Sequence, residues 1–193
     1  IRTPLSAVIG LSELLETGTL EPAERDMVRQ IQRSSGLLLS LVNDVLDMSH
    51  IEAGQLSLSE TPFLPVAICE EVVDTFLTTA HARGIDLRLV VLEPAPEAVI
   101  GDRDRLRQVL INLVGNALKF TAEGSVTVTL RAVGEGEQVA LSITVEDTGE
   151  GIDETERARI FESFTRGSPS TGGTGLGLSI SARLMALMGG TLT

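Results

Sequence analysis

Three side chains within eight residues have the types and spacing to do chemistry: Asn112, Asn116 and Lys119, in the stretch NLVGNALKF. At about 100° per residue they share one polar strip of a helix. An asparagine pair one turn apart offers carbonyl oxygens to a hard cation, and an ammonium one turn further on offers a point charge to phosphate. Lys119 is the only lysine among the 15 basic residues. Gly115 lies inside the same helix, where glycine costs about 1 kcal/mol against alanine, so something is expected to approach the backbone there closely.

Two glycine motifs extend the set. Asp147-Thr148-Gly149-Glu150-Gly151 follows an alternating apolar run, so the carboxylate stands at a strand end, able to accept a hydrogen bond from a base amino group, with glycines that let a ligand approach the backbone. Gly172-Gly173-Thr174-Gly175-Leu176-Gly177 precedes a helical pattern and turns backbone N–H groups and a helix N-terminus toward an anion. It has neither the Rossmann spacing nor the Lys-Ser/Thr ending of a P-loop. Between the two, Phe161, Phe164 and Arg166 run into a Gly/Ser/Pro-rich segment, a pattern that suits a hinged lid whose arginine reaches phosphate. Each piece by itself is equally consistent with an amphipathic surface element.

The elements that must hold these residues can be read from periodicity. A helix from Asp102 carries the first motif, with Leu106, Val109, Leu110, Leu113, Ala117 and Phe120 as its apolar stripe. Val66 to Arg83 reads as a helix closed by Gly84, and Ile85 to Val91 as a strand. Val126–Leu130 and Val139–Val145 alternate around Gly134-Glu135-Gly136 as a hairpin. Leu176 to Met188 reads as the last helix, and Thr191-Leu192-Thr193 as the start of a strand. Strands and helices mix as one sheet with helices on one face, an alpha/beta sandwich.

The first third differs. Leu5, Val8, Ile9, Leu11, Leu14 and Leu15 mark one helix; Thr17-Gly18-Thr19 and Glu21-Pro22 mark a turn and a new start. From Pro22 to about Ala53, Ile31, Leu38 and Val45 occupy one heptad position and Met27, Leu41 and Met48 another, with Ser34 as the polar exception. The second helix, about 30 residues, spans roughly 45 Å against roughly 25 Å for the first. The first helix is therefore expected to continue before Ile1. Leu37, Leu39, Val42 and Leu46 widen the apolar face, which favours a four-helix bundle built from two copies of the hairpin over a face that covers another part of the same chain. The boundary falls near residue 55, at the Ser- and Pro-containing run.

Composition narrows the function classes. At 193 residues and 42% apolar content the chain holds a sizeable core. A net charge of −12 and pI near 4.6 argue against broad binding to nucleic acid or an anionic membrane, so an anionic ligand needs a local cationic pocket or a metal. One cysteine, Cys69, fits a reducing compartment and reads as a buried structural thiol. Two histidines far apart, His50 and His81, give a zinc site little support. No apolar run of about 18 residues is present, which leaves a membrane anchor to any segment upstream.

In this order the pieces resemble one family. NLVGNALKF, EDTGEGID, IFESFTRG and GGTGLGLSI resemble the N, G1, F and G2 boxes of the ATP-binding domain of bacterial sensor histidine kinases, and IRTPLSAVIG resembles the part of the H box that follows its histidine. The resemblance implies an α+β chain: residues 1–55 as a dimerisation and phosphotransfer hairpin, and residues 56–193 as a catalytic domain of the Bergerat (GHKL) type. It implies ATP and Mg²⁺ as ligands, with Asn116 on the metal, Lys119 on phosphate, Phe120 against adenine and Asp147 on the adenine amino group. Gly149, Gly151, Gly173, Thr174, Gly175, Leu176 and Gly177 would shape the nucleotide loops, and Arg166 would reach the phosphates.

Asn112 matches the position that orients the attacking group. Gyrase-, Hsp90- and mismatch-repair-type ATPases carry a glutamate there; a neutral amide is no strong base for water, so transfer to a protein side chain is the better reading. A nucleotide-binding dimerisation or scaffold module without kinase activity is the alternative. By resemblance the acceptor histidine and an acidic neighbour immediately precede Ile1, further strands follow Gly189-Gly190, and Thr3 matches a position that helps remove phosphate from the partner. The implied partners are a second copy of the chain and a response regulator receiver domain, the implied location is the cytoplasm, and GGTGLGLSI with LMALMGG resembles hybrid kinases.

Overall fold

The computed structural model describes residues 2–93, 95, 97–133, 140–157, 159–161 and 175–193. The chain divides into two compact units, Ile1–Leu56 and Ser57–Thr193.

The first unit is a helical hairpin of α1 (Arg2–Glu16) and α2 (Pro22–Glu52). Pro22 opens α2 where a missing N–H costs nothing, and the Glu24 carboxylate accepts from the Glu21 N–H at 3.0 Å, pinning the turn. The seam between the helices is not the expected heptad set. Val28 and Ser35, seven residues apart, are the buried α2 residues, and Gln32 between them donates to Glu16 at 3.2 Å beside Arg29, which donates to the same carboxylate at 3.2 Å. Met27, Ile31, Leu38 and Val45 remain 64%, 45%, 47% and 50% exposed. A helix has room for two seams about 100° apart, and among the described residues the stronger apolar one stays exposed.

The second unit begins with β1 (Thr61–Phe63), which pairs antiparallel with β3 (Val99–Gly101) through Pro62↔Ile100. Neither strand was expected. Three residues are too few for an alternation to register, and β1 also carries a proline. Consequently the strands do not form one sheet: β2 (Ile85–Val91), β4 (Gly124–Val133) and β5 (Ala140–Asp147) make a separate three-stranded sheet in the order β2-β4-β5, parallel then antiparallel. The expected hairpin is the β4–β5 pair; its turn, with Val139, lies outside the described residues. Val126, Val128 and Leu130 turn inward beneath α3 (Pro65–Ala82) and α4 (Arg103–Phe120), meeting Ile68, Val72, Leu110, Val114 and Leu118 in one core. A short α5 (Glu154–Arg157) follows β5, and α6 (Gly177–Leu187) packs on α4. Residues 191–193 form no strand.

Candidate functional site

The site is assembled on the second half of α4, and each end of that helix is tied down by a charged side chain. Asp102 caps its start: one carboxylate oxygen accepts from Arg105 N–H at 3.0 Å, the other from Ser59 N–H at 2.9 Å, so the same buried residue anchors the entry to the unit. At the far end Arg83 donates to the carbonyls of Leu118 at 2.5 Å and Thr121 at 2.8 Å. Those carbonyls flank Lys119 and Phe120, in the turn where a helix has no acceptors' partners of its own.

The buried arc of α4 is wider than the expected stripe. Val114 and Leu118 are buried alongside Val109, Leu110 and Ala117, while Leu113 and Phe120 are half-buried. The reason is packing on two sides, against α3 and the sheet and against α6. Gly115 faces α3: a Cβ there would lie 3.5 Å from the Phe76 ring, an ordinary van der Waals contact that an alanine could make.

Asn112, Asn116, Lys119 and Phe120 are all half-buried along α4. The Lys119 ammonium stands 4.6 Å from the centre of the Phe120 ring, and burial holds its pKa below the usual lysine value. Asp147 ends β5, exposed, with one carboxylate oxygen accepting from Gly149 N–H at 2.8 Å. A Cβ on Gly149 would lie 2.5 Å from the Phe120 carbonyl oxygen. The first glycine of DTGEG thus allows the close approach of the turn to α4. Gly151 has φ +73 and open space around it. Thr148 ties the turn to β4, its hydroxyl accepting from Ser125 N–H at 3.0 Å.

On the other flank Gly175 has φ +69, Leu176 is buried and Gly177 begins α6. A Cβ on Gly177 would collide with the Asn112 side-chain oxygen, and the Asn112 amide donates to Ser181 Oγ at 2.9 Å. The Asn112 amide is thus engaged by α6 through Ser181, a serine inside an apolar helix that gave no signal in the sequence. Gly173, Thr174, Phe164 and Arg166, with the expected lid, lie outside the described residues. Thr3 is exposed near the start of α1, in the other unit.

The donor set bears on which cation the site could take. Among the described residues no group of three His, Cys, Asp or Glu side chains could enclose a metal. A hard cation at Asn116 would therefore be held by one amide together with phosphate oxygens and water, the manner in which Mg²⁺ usually binds. The residues present fit a metal delivered with a phosphate ligand.

Residues 101–193 match the family model described as histidine kinase-, DNA gyrase B- and HSP90-like ATPase, and residues 1–54 match the His Kinase A (phospho-acceptor) domain. The signal transduction histidine-protein kinase BarA of Escherichia coli K12 is 40% identical over 100% of this chain and 22% of its own length. The hybrid signal transduction protein dokA of Dictyostelium discoideum is 43% identical over 98% of this chain and 12% of its own length. The chain thus spans less than a quarter of these relatives. Among solved structures, full-length ShkA in complex with AMPPNP aligns with TM-score 0.77 at 41% identity, covering 97% of this chain and 39% of that one. The mycobacterial sensor histidine kinase MprB aligns with TM-score 0.53 at 30% identity, covering 68% of this chain and 81% of that one. With a phospho-acceptor hairpin model and an ATPase model matched in succession along one chain, this protein belongs to the sensor histidine kinases.

Proposed function

We propose that the chain is the kinase core of a two-component sensor: the unit Ser57–Thr193 binds Mg²⁺-ATP, the γ-phosphoryl group passes to a histidine imidazole, and an aspartate of a response regulator receiver domain then takes it. The observation that carries this reading is the meeting of Phe120 and Gly149, which brings the Lys119–Phe120 turn beside the Asp147 carboxylate. A ring and a carboxylate suit a purine and its amino group, and an adjacent half-buried ammonium suits phosphate. Phe120 packs on adenine, Asp147 accepts from its amino group, Lys119 contacts phosphate and Asn116 supplies the one protein ligand to Mg²⁺. Gly149, Gly151, Gly173, Thr174, Gly175, Leu176 and Gly177 shape the loops, and Arg166 reaches the phosphates.

Bound Mg²⁺ neutralises charge that builds on the transferring phosphoryl oxygens. The chain's share is to position and stabilise: Lys119 meets the same charge, and Asn112, a neutral amide, orients the attacking group without activating water. The P–O bond to ADP breaks as the N–P bond to imidazole forms. His50 lies in the last turn of α2 and His81 in the last turn of α3; the resemblance puts the acceptor directly before Ile1 instead. Thr3, one turn along from that position, serves removal of phosphate from the regulator.

The exposed apolar face of α2 supports a homodimer with a four-helix bundle. We assign the core to the cytoplasm and to a hybrid kinase, in keeping with the hybrid relatives. No helix among the described residues is long and apolar enough to cross a membrane. The test is calorimetry with Mg²⁺-ADP. Asp147→Asn should weaken binding with or without metal, and Asn116→Ala should weaken the Mg²⁺-dependent part. Unchanged affinity in both variants would remove the site. Labelling with γ-³²P ATP then tests transfer: acid-labile, base-stable label is expected in a chain that carries the upstream histidine, and label lost on His50→Gln would overturn the assignment of the acceptor.

A further inference from the structure

The proposed nucleotide site contains a contact between two helices that none of the expected roles requires. On α6, Gly177 and Ser181 are four residues apart and so stand one above the other on the same face. Both meet one side chain, Asn112 of α4: its amide nitrogen donates to Ser181 Oγ at 2.9 Å, and its oxygen lies where a Cβ on Gly177 would be. Ser181 is 2% exposed. A serine at that depth between Ile180 and Leu184, also buried, needs its partner, because an unmatched buried hydroxyl or amide is costly. Leu176, the N-cap residue, makes no side-chain capping hydrogen bond of its own. The Asn112 amide bonds the second turn of α6 at Ser181 and packs against the first at Gly177.

We propose that Ser181 is a positioning residue of the nucleotide site, acting through Asn112: the pair latches the start of α6, and with it Gly175 to Gly177, at a set distance from Asn116 and Lys119 on α4. The proposal rests on the nucleotide-site reading above. It assigns Ser181 a part in binding although its side chain faces Asn112. It also accounts for Gly177 by the need to admit the Asn112 amide.

The experiment is Mg²⁺-ADP calorimetry on the full 193-residue chain with Ser181→Ala, Asn112→Ala and the double variant, alongside hydrogen exchange over residues 176–187. Ser181→Ala should weaken binding about fivefold, the equivalent of one hydrogen bond left unmade, and speed exchange over α6. The double variant should bind within about twofold of Asn112→Ala, because the two side chains act as one unit. Ile68→Val, in the core under α3, is the control for stability alone: it should lower the melting temperature and leave affinity unchanged. Should Ser181→Ala fail to fold, Ser181→Cys keeps the volume with only a weak acceptor and should show the same loss. Wild-type affinity in the Ser181 variant, or a full second fivefold loss in the double variant, overturns the latch. Absence of Mg²⁺-ADP binding in the unsubstituted chain overturns the nucleotide-site reading itself, and the positioning role with it.

Discussion

Arg83, the C-cap of α3, holds Thr121, the C-cap of α4: its guanidinium donates to the Thr121 carbonyl at 2.8 Å and to the Leu118 carbonyl one turn earlier. A planar fork suits two acceptors on one helix end, and its positive charge faces the negative pole of α4. Thr121 is fully buried, its hydroxyl donating to Ala117 O at 2.7 Å. Arg83→Ala should therefore cost about 1–3 kcal/mol in urea unfolding, since buried acceptors lose a charged donor. Arg83→Lys should recover part of the loss, as one ammonium cannot reproduce the fork. Equal midpoints for wild type and Arg83→Ala would show that the cap contributes nothing.

Gly149→Ala tests the junction on which the proposed site depends. Its Cβ would lie 2.5 Å from a backbone oxygen, that of Phe120, and 2.8 Å from the Asp147 carboxylate, so the turn has to move. The expected cost is about 1–3 kcal/mol from overpacking, accompanied by weaker nucleotide binding. Gly151→Ala is the comparison: it meets no atom within 4 Å but has φ +73, so it pays backbone strain of about 1 kcal/mol without displacing Phe120. Equal nucleotide affinity in Gly149→Ala and wild type would separate the junction from binding.

The apolar face of α2 predicts association. Leu38→Glu with Leu41→Glu places two charges on side chains that are 47% and 37% exposed, where they cost the isolated hairpin little. Sedimentation should show a dimer for the wild type and a monomer for the double variant. A wild type that sediments as a monomer at every concentration leaves that face without its proposed partner.

Cys69 offers a pH-dependent check on the core. Burial pushes its thiol up to about 11, with the neighbouring Glu70 carboxylate adding to the effect. A thiol-directed disulfide reagent should therefore react slowly at pH 8 and fast once urea unfolds the chain. The sign for stability follows: the folded state keeps the proton longer, so the contribution is fully present below the unfolded value of 9.0 and is lost as pH rises toward about 11. Rapid labelling of the native chain at pH 8 would contradict the buried placement.

How much of this was legible without coordinates depends on the range of the interactions concerned. Helix starts and stops are local, decided by a few consecutive residues, which is why Pro22, Asp102 and Gly84 mark the observed ends of α2, α4 and α3 within a residue or two. The alternation of β2, β4 and β5 is equally local, as is the order of the glycine motifs along the chain. The strip of Asn112, Asn116 and Lys119 needed only the helical period.

What only the tertiary structure decided is which of several compatible surfaces each element spends on which neighbour. The heptad pattern of α2 pointed to Met27, Ile31, Leu38 and Val45, yet Val28 and Ser35 are the residues it buries and those four stay open. The short β1 and β3 have no period of their own and exist because Pro62 meets Ile100 across 38 residues of chain. Gly149 and Gly177 stand where the Phe120 carbonyl and the Asn112 side chain leave no room for a Cβ. A glycine states that space is needed, and long-range contacts determine what fills it. The same holds for Ser181 and Arg83, ordinary in sequence, which acquire their partners only when α6 and α3 are brought against α4.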